Sequence, residues 1–240
     1  MKYFVSADIH GFFDEWQKAL KEKEFDLNNP NHKIIICGDL FDRGRQPKEI
    51  IDYILAHEDK IILVRGNHED LLEDMIRENC ASCVDEKNGT KQTIDDLRRI
   101  LNLNDKYSML EVSQKSNLQY VVDKCVNYYE TEHYIFVHAF IPLSDDWEYN
   151  KYWRYASPNR WKEARWINPV IPYKKKLYDP DKIIVCGHWH CSALWHEVDP
   201  NKYDEFGPKA NFEPFISEHI IAIDACTSYS KKVNVVVIED

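Results

Sequence analysis

The sequence predicts an α/β fold built on at least one largely parallel sheet, and three observations predict it. Apolar, β-rich runs alternate with helical patterns through the N-terminal half. These runs are apolar at every position, as in strands covered on both faces. Five of the runs along the chain are followed at once by a short polar motif. With 240 residues the chain is long enough for one sizeable core. Residues 1–240 read as a single domain with a helical insertion at approximately 79–130.

Tyr3-Phe4-Val5 opens as a strand, and Phe13, Trp16, Ala19 and Leu20 recur after it at helical spacing. Ile34-Ile35-Ile36-Cys37 is the second strand. Pro47, suited to a first helical turn, then precedes Ile50, Ile51, Ile54 and Leu55 on one helical face. Ile61-Ile62-Leu63-Val64 is the third strand, followed by a helix through Leu71, Leu72, Met75 and Ile76. The insertion breaks this rhythm. Ile94, Leu97, Ile100 and Leu101 mark one amphipathic helix, and Leu118, Val121, Val122, Cys125, Val126 and Tyr129 mark a second. Tyr134-Ile135-Phe136-Val137 and Ile183-Ile184-Val185-Cys186 return to strand on either side of an irregular stretch, 141–181, that holds four of the seven tryptophans. Residues 215–223 and 233–238 are expected to form two antiparallel strands that finish a second sheet.

Composition, at 44% hydrophobic and 30% charged, is ordinary for a globular enzyme. No apolar run approaches the roughly 18 residues that cross a bilayer. The apolar part of the first eight residues is too short for a signal peptide, so a cytoplasmic location without a membrane partner is expected. Seven cysteines at irregular spacing make no disulfide framework, and Cys80 and Cys83 read as ordinary thiols in the insertion. The net charge of −10 argues against a stable nucleic-acid partner. It leaves phosphate substrates open, because bound cations make their own site positive.

The five motifs are Asp8-Ile9-His10-Gly11, then Gly38-Asp39-Leu40-Phe41-Asp42-Arg43-Gly44, Arg65-Gly66-Asn67-His68-Glu69, His138-Ala139, and Gly187-His188-Trp189-His190. In open α/β sheets ligands bind beyond the carboxyl ends of strands, so these motifs bring carboxylates, an amide and imidazoles to one edge. On an extended strand end, residues two apart point the same way; Asp8 with His10, and His188 with His190, could each grip one ion. Such mixed donors suit Mn²⁺, Fe or Zn²⁺ better than Ca²⁺, and the lack of thiols among them argues against a structural zinc site. Two carboxylates and an arginine within seven residues are costly to bury without a use.

Together these strings resemble the calcineurin-like metallophosphoesterase superfamily. Asp42-Arg43-Gly44 and Val64-Arg65-Gly66-Asn67-His68-Glu69 resemble the branch containing bacterial and phage Ser/Thr phosphoprotein phosphatases and symmetrical diadenosine tetraphosphatases. Ile223-Asp224-Ala225-Cys226 with the Val-rich run after it is similar to the family's closing hairpin. The resemblance implies a β-sandwich flanked by helices, in α/β/β/α layers, and two metal ions, with Mn²⁺ expected and Fe or Zn²⁺ as alternatives. It implies Asp8 and His10 on the first metal, Asp39 between both, and Asn67, His138 and His188 on the second. Arg43 and Asn67 would bind substrate phosphate, and His68 paired with Asp42 would be the general acid.

The chain departs from the branch in two places. Gly187-His188-Trp189-His190 replaces a threonine-containing G-H-T, and in other branches the second histidine of G-H-x-H joins the first metal, which adds His190 to the metal set. His138-Ala139-Phe140 replaces the eukaryotic H-G-G. A second phosphate-binding arginine is sought between 154 and 165. Arg165 is favoured, because Trp161-Lys162-Glu163-Ala164-Arg165-Trp166 resembles a tryptophan-and-arginine segment of bacterial relatives.

The expected reaction is hydrolysis of phosphomonoesters, foremost phosphoserine or phosphothreonine in proteins, by a hydroxide bridging two metals. Symmetrical cleavage of diadenosine tetraphosphate or another nucleotide is the enzymatic alternative. A non-catalytic metal-binding scaffold is the remote one, opposed by the joint presence of Asp39, Asp42, Asn67 and His68. Trp147, Trp153, Trp161 and Trp166 pack beneath the long loop or stack on a nucleobase.

Overall fold

The computed structural model describes residues 1–240. The first half runs β1 (Lys2–Ser6), α1 (Phe13–Glu22), β2 (His32–Cys37), α2 (Pro47–Ala56), β3 (Ile61–Val64), α3 (Asn67–Glu78). Four short helices follow: α4 (Cys83–Asn88), α5 (Thr90–Ile100), α6 (Met109–Ser116) and α7 (Leu118–Asp123). The second half comprises β4 (Tyr129–Glu130), β5 (Tyr134–Phe136), α8 (Pro158–Ala164), α9 (Val170–Lys175), β6 (Ile183–Cys186), α10 (Cys191–Val198), β7 (Phe215–Ile216), β8 (Ile220–Ala222), α11 (Thr227–Ser230) and β9 (Val236–Glu239). No helix is long and apolar enough to cross a membrane.

The strands form two sheets, of order β3-β2-β1-β9 and β4-β5-β6-β8-β7. β1, β2 and β3 are parallel, as are β5, β6 and β8, and the antiparallel strands β9, β4 and β7 lie at sheet edges. The period-two alternation of strand side chains divides each apolar run between two cores. Val5, Ile35, Cys37, Phe136, Val185 and Ile221 meet between the sheets. Phe4, Ile34 and Ile36 turn outward to the helices of the first half. Ile135, Ile184 and Ile220 turn outward to a core that includes Trp161 and Leu194. This gives the expected α/β/β/α layers and explains why the strands are apolar at every position.

Two expectations require correction. The tail strands do not finish one sheet together: β7 and β8 form a hairpin in the second sheet, whereas β9 crosses back to pair antiparallel with β1 in the first. Nor does the second insertion helix reach Tyr129. It ends at Asp123, and Val126 exchanges backbone hydrogen bonds with Leu63 and Arg65 alongside β3. Val126 bridges to β3 and Tyr129 lies in β4, whereas Cys125 packs against the core of the first half.

Candidate active site

Six strand ends converge on one edge of the sandwich. Asp8, Asp39, His138, His188 and Asp224 each lie two residues beyond β1, β2, β5, β6 and β8, and Asn67 begins α3 just past β3. The backbone there is left-handed rather than extended, with positive φ at Asp8, His10, Asp39, Asp42, Arg43 and His188. Each such residue costs on the order of 1–3 kcal/mol, a cost that native packing must hold in place. Asp8 and His10 are therefore not placed by strand alternation, since β1 ends at Ser6 and both are left-handed. Crowding alone requires glycine at three positions, one of them Gly44, where a Cβ would collide with the Gly11 backbone. A Cβ at Gly66 would collide with Asp39 Oδ1, and one at Gly187 with Asp8 Oδ2.

Two donor groups share Asp39: His10, Asp39 and His68, and Asp39, His138 and His188, each with ligand atoms within 4.8 Å of one another. Asp39 Oδ2 faces His10 Nε2 at 3.6 Å and His68 Nε2 at 3.8 Å, while its Oδ1 faces His138 Nε2 at 3.5 Å. Asn67 Oδ1 joins the second group, 2.7 Å from His138 Nε2 and 2.9 Å from His188 Nδ1. Asp8 stands beside the groups, its Oδ2 accepting the His188 N–H at 2.9 Å.

The donors fit divalent ions. His10 Nδ1 and His138 Nδ1 each lie 2.9 Å from a backbone carbonyl, of Phe41 and Cys37, which turns the Nε2 atoms inward. Burial holds His10 and His138 below the ordinary imidazole range and His188 at about 3, so all three are neutral donors. Burial pushes Asp8 well up, and Asp224 and Glu69 up to about 7, with the charge of Asp39 adding to each. Burial would also raise Asp39, but the surrounding imidazoles, His138 first, outweigh it and hold its carboxyl low. Carboxyls crowded in this way are relieved by bound cations.

Beside the shared carboxylate, His68 Nδ1 lies 2.6 Å from Asp42 Oδ2. Thr90 Oγ1 donates to the same oxygen at 2.8 Å, and Thr93 Oγ1 donates to Asp42 Oδ1 at 2.7 Å. Helix α5 thus fixes the carboxylate that orients His68. Arg43 reaches His10 Nε2 at 2.8 Å and His68 Nε2 at 3.2 Å. Glu69 ties the β2 and β3 loops together by accepting the N–H groups of Asp39, Leu40 and Gly66.

Two of the residues expected at the site are not brought into it. His190 caps α10 in a conformation unlike that of His188, with Nδ1 2.9 Å from Ser192 Oγ and Nε2 3.3 Å from Glu205. Its ring cannot share the face of His188 because the intervening backbone is not extended. Arg165 is buried, and Asp70 holds it through Nε at 2.7 Å and Nη2 at 3.1 Å while Nη1 bonds Asn127. Its fork is already filled by a carboxylate. Of the four tryptophans, Trp153 and Trp161 are core residues, whereas Trp147 and Trp166 are exposed.

The sequence reading passed over Asp224, Thr90, Thr93 and Glu69 as site residues. Asp224 follows an apolar strand as the five motifs do, and that signal could have found it. The threonines carry no such signal, since their partner lies about fifty residues away.

Residues 1–213 match the family model described as calcineurin-like phosphoesterase. A zinc-dependent endopolyphosphatase of Saccharomyces cerevisiae is 34% identical over 71 residues, covering 30% of this chain and 22% of that protein. A symmetrical bis(5'-nucleosyl)-tetraphosphatase of Buchnera aphidicola is 36% identical over 67 residues, covering 28% and 23%. These matches therefore span less than a quarter of either relative. Among solved structures, a cold-active protein-tyrosine phosphatase of a psychrophilic Shewanella shares the fold at TM-score 0.54 and 16% identity, covering 100% of this chain and 75% of that one. A protein serine/threonine phosphatase of Saccharomyces cerevisiae does so at TM-score 0.53 and 16% identity, covering 100% and 80%. The layered sandwich, the strand-end donors and the match over residues 1–213 agree, and the chain belongs to the calcineurin-like phosphoesterase family, whose members are metal-dependent hydrolases of phosphoesters.

Proposed function

We propose that the chain is a two-metal phosphomonoesterase acting on phosphorylated protein side chains, with phosphoserine and phosphothreonine as its first substrates. The observation that supports it best is the sharing of Asp39 between two donor groups, with the His68–Asp42 pair alongside. In this reading Asp8 and His10 hold one ion, Asn67, His138 and His188 hold the other, and Asp39 lies between them. Mn²⁺ is the favoured metal, with Fe or Zn²⁺ as alternatives. When bound, the ions supply positive charge for the phosphate oxygens and a water activated at neutral pH.

The chain's own residues do the rest. Arg43, exposed at the mouth, binds phosphate oxygens together with Asn67. His68 holds a proton at Nε2 and gives it to the departing alkoxide, while Asp42 on Nδ1 keeps the ring in that orientation. Burial alone would lower the His68 pKa, but Asp39 and Asp42 outweigh it and raise it, favouring the protonated acid. The insertion, approximately 79–130, supports this dyad through Thr90 and Thr93.

Sequence similarity to the Buchnera tetraphosphatase favours a second reading, cleavage of a dinucleoside polyphosphate. Charge favours the first. Arg165 and Arg65 are both bound to Asp70, which leaves Arg43 to meet one phosphate group rather than a chain of four. Manganese-loaded protein should hydrolyse a phosphoserine peptide with a higher kcat/KM than diadenosine tetraphosphate. The reverse order would replace this reading with the second, and no hydrolysis of either, nor of an aryl phosphate, would point to a scaffold.

A further inference from the structure

Arg43 differs from every other arginine of the chain. Each of the others pairs with a carboxylate, and Arg43 does not. Its guanidinium meets the imidazoles of His10 and His68, while the residue itself is exposed. No side-chain carboxylate sets its direction, so its backbone must. That backbone is left-handed, with φ of 61° at Arg43 directly after 71° at Asp42. Two successive non-glycine residues in this region are costly and persist only where their surroundings hold them.

The loop is held from two sides. On one, the Gly44 N–H donates to the His10 carbonyl at 2.8 Å. On the other, the start of α5 lies along the loop. Gly89, itself left-handed at φ 87°, approaches so closely that a Cβ there would stand 2.6 Å from Arg43 N. Gln92 Nε2 donates to the Gly44 carbonyl at 3.0 Å and faces the Arg43 carbonyl at 3.3 Å. Thr93 Oγ1 accepts the Asp42 N–H at 3.0 Å. Neighbouring residues of one helical turn therefore divide the loop between them. Thr90 and Thr93 hold Asp42, which orients His68, whereas Gln92 and Gly89 hold the backbone of Arg43 and Gly44.

We propose that Gln92 and Gly89 are positioning residues for Arg43, setting the affinity for phosphate by fixing the backbone from which the guanidinium projects. The inference rests on the phosphate-binding role of Arg43 in the phosphomonoesterase reading. The φ and ψ of a residue set the direction of its Cα–Cβ bond relative to the chain on either side. Were Arg43 to relax out of the left-handed region, that bond would turn and carry the long side chain away from His10 and His68. An exposed arginine on a free backbone must also be ordered each time phosphate binds, at a cost in entropy. A fixed backbone removes part of that cost in advance. The insertion thereby serves the acid and the phosphate separately, through different residues of the same turn.

Calorimetric titration of inorganic phosphate into manganese-loaded wild type, Gln92→Met, Arg43→Ala and the double variant tests this. Methionine keeps the length of the side chain and removes its donors. Alone, Gln92→Met should weaken phosphate binding about 3- to 10-fold, the worth of one or two neutral hydrogen bonds. Added to Arg43→Ala, it should change Kd by less than about twofold, because the residue it positions is gone. In Gln92→Met, kcat/KM for p-nitrophenyl phosphate and for a phosphoserine peptide should fall by the same factor, since both carry the same phosphate. An unchanged Kd, or equal weakening in both backgrounds, would overturn the proposal. So would a loss confined to the phosphoserine peptide, which would place Gln92 with Thr93 behind the acid. If Arg43→Ala bound phosphate as tightly as wild type, the phosphate-binding role of Arg43 would fail and the proposal with it, a result distinct from the other three.

Discussion

The two sheets contribute different things to one site. The first supplies Asp8, His10, Asp39, Asn67 and His68, all nearly inaccessible and braced from outside by Glu69, Thr90 and Thr93. The second supplies His138 and His188, and around His188 it opens to solvent through Trp166 and Trp189. In the proposed function the locked half would carry the chemistry, and the open half would meet whatever the phosphate is attached to. This division separates variants that should stop the reaction from those that should only change its substrates.

Asp39→Asn tests the locked half most severely. It should lower kcat by about 10³-fold or more, because both donor groups lose their common carboxylate and with it several kcal/mol of charge stabilisation. Steady-state assays at saturating manganese measure this. Next comes His68→Ala, expected to cost about 100-fold on a phosphoserine peptide and much less on p-nitrophenyl phosphate, whose leaving group needs no proton. Equal losses on the two substrates would remove His68 from the acid's role.

Arg165→Ala bears on the boundary between the halves. Breaking this buried pair should cost about 3 kcal/mol in urea unfolding, while KM for a phosphoserine peptide should change by less than about twofold, since Asp70 occupies the guanidinium. A large rise in KM with intact stability would return Arg165 to the substrate. Thr93→Val removes a donor from the buried Asp42. A hydrogen bond to a charged group is worth about 1.5–3 kcal/mol, so kcat should fall about 10-fold, and Thr93→Ser should restore most of it.

A weaker link joins the halves at their edge, where Asp240 beyond β9 meets His133 at 2.5 Å. Burial would raise the Asp240 carboxyl, but His133 outweighs it and holds it at about 2, below its ordinary 3.8. That contribution is present above pH 3.8 and lost as pH falls toward 2. His133 is raised by the same pair, so its contribution is present below 6.5 and lost as pH rises through the raised value. Asp240→Asn should lower stability evenly between about pH 4 and 6 and flatten the profile below about pH 4 and above about pH 6.5, and thermal melts from acid to mildly alkaline pH measure it.

What the sequence disclosed follows the same division. Strand ends were legible because an apolar run followed at once by Asp, Asn or His is a local pattern, and it predicted an α/β core with a parallel sheet; the α/β/β/α layers came from the resemblance that the motifs carry. Partners set by packing were not. The threonines act across about fifty residues, and Arg165 is settled by an aspartate far away in sequence. His190 was misread because the spacing of two implies a shared face only on extended backbone, and His188 is left-handed. Val236–Glu239 has the alternation of any edge strand, so the sequence did not say which sheet it would join.

The most direct measurement is metal content by mass spectrometry after manganese loading and removal of free metal, for wild type, Asp39→Asn and His190→Ala. Two donor groups sharing one carboxylate predict about two ions per wild-type chain, loss of both in Asp39→Asn and retention of both in His190→Ala. A single ion in the wild type at saturation, or two ions retained without Asp39, would contradict the shared centre.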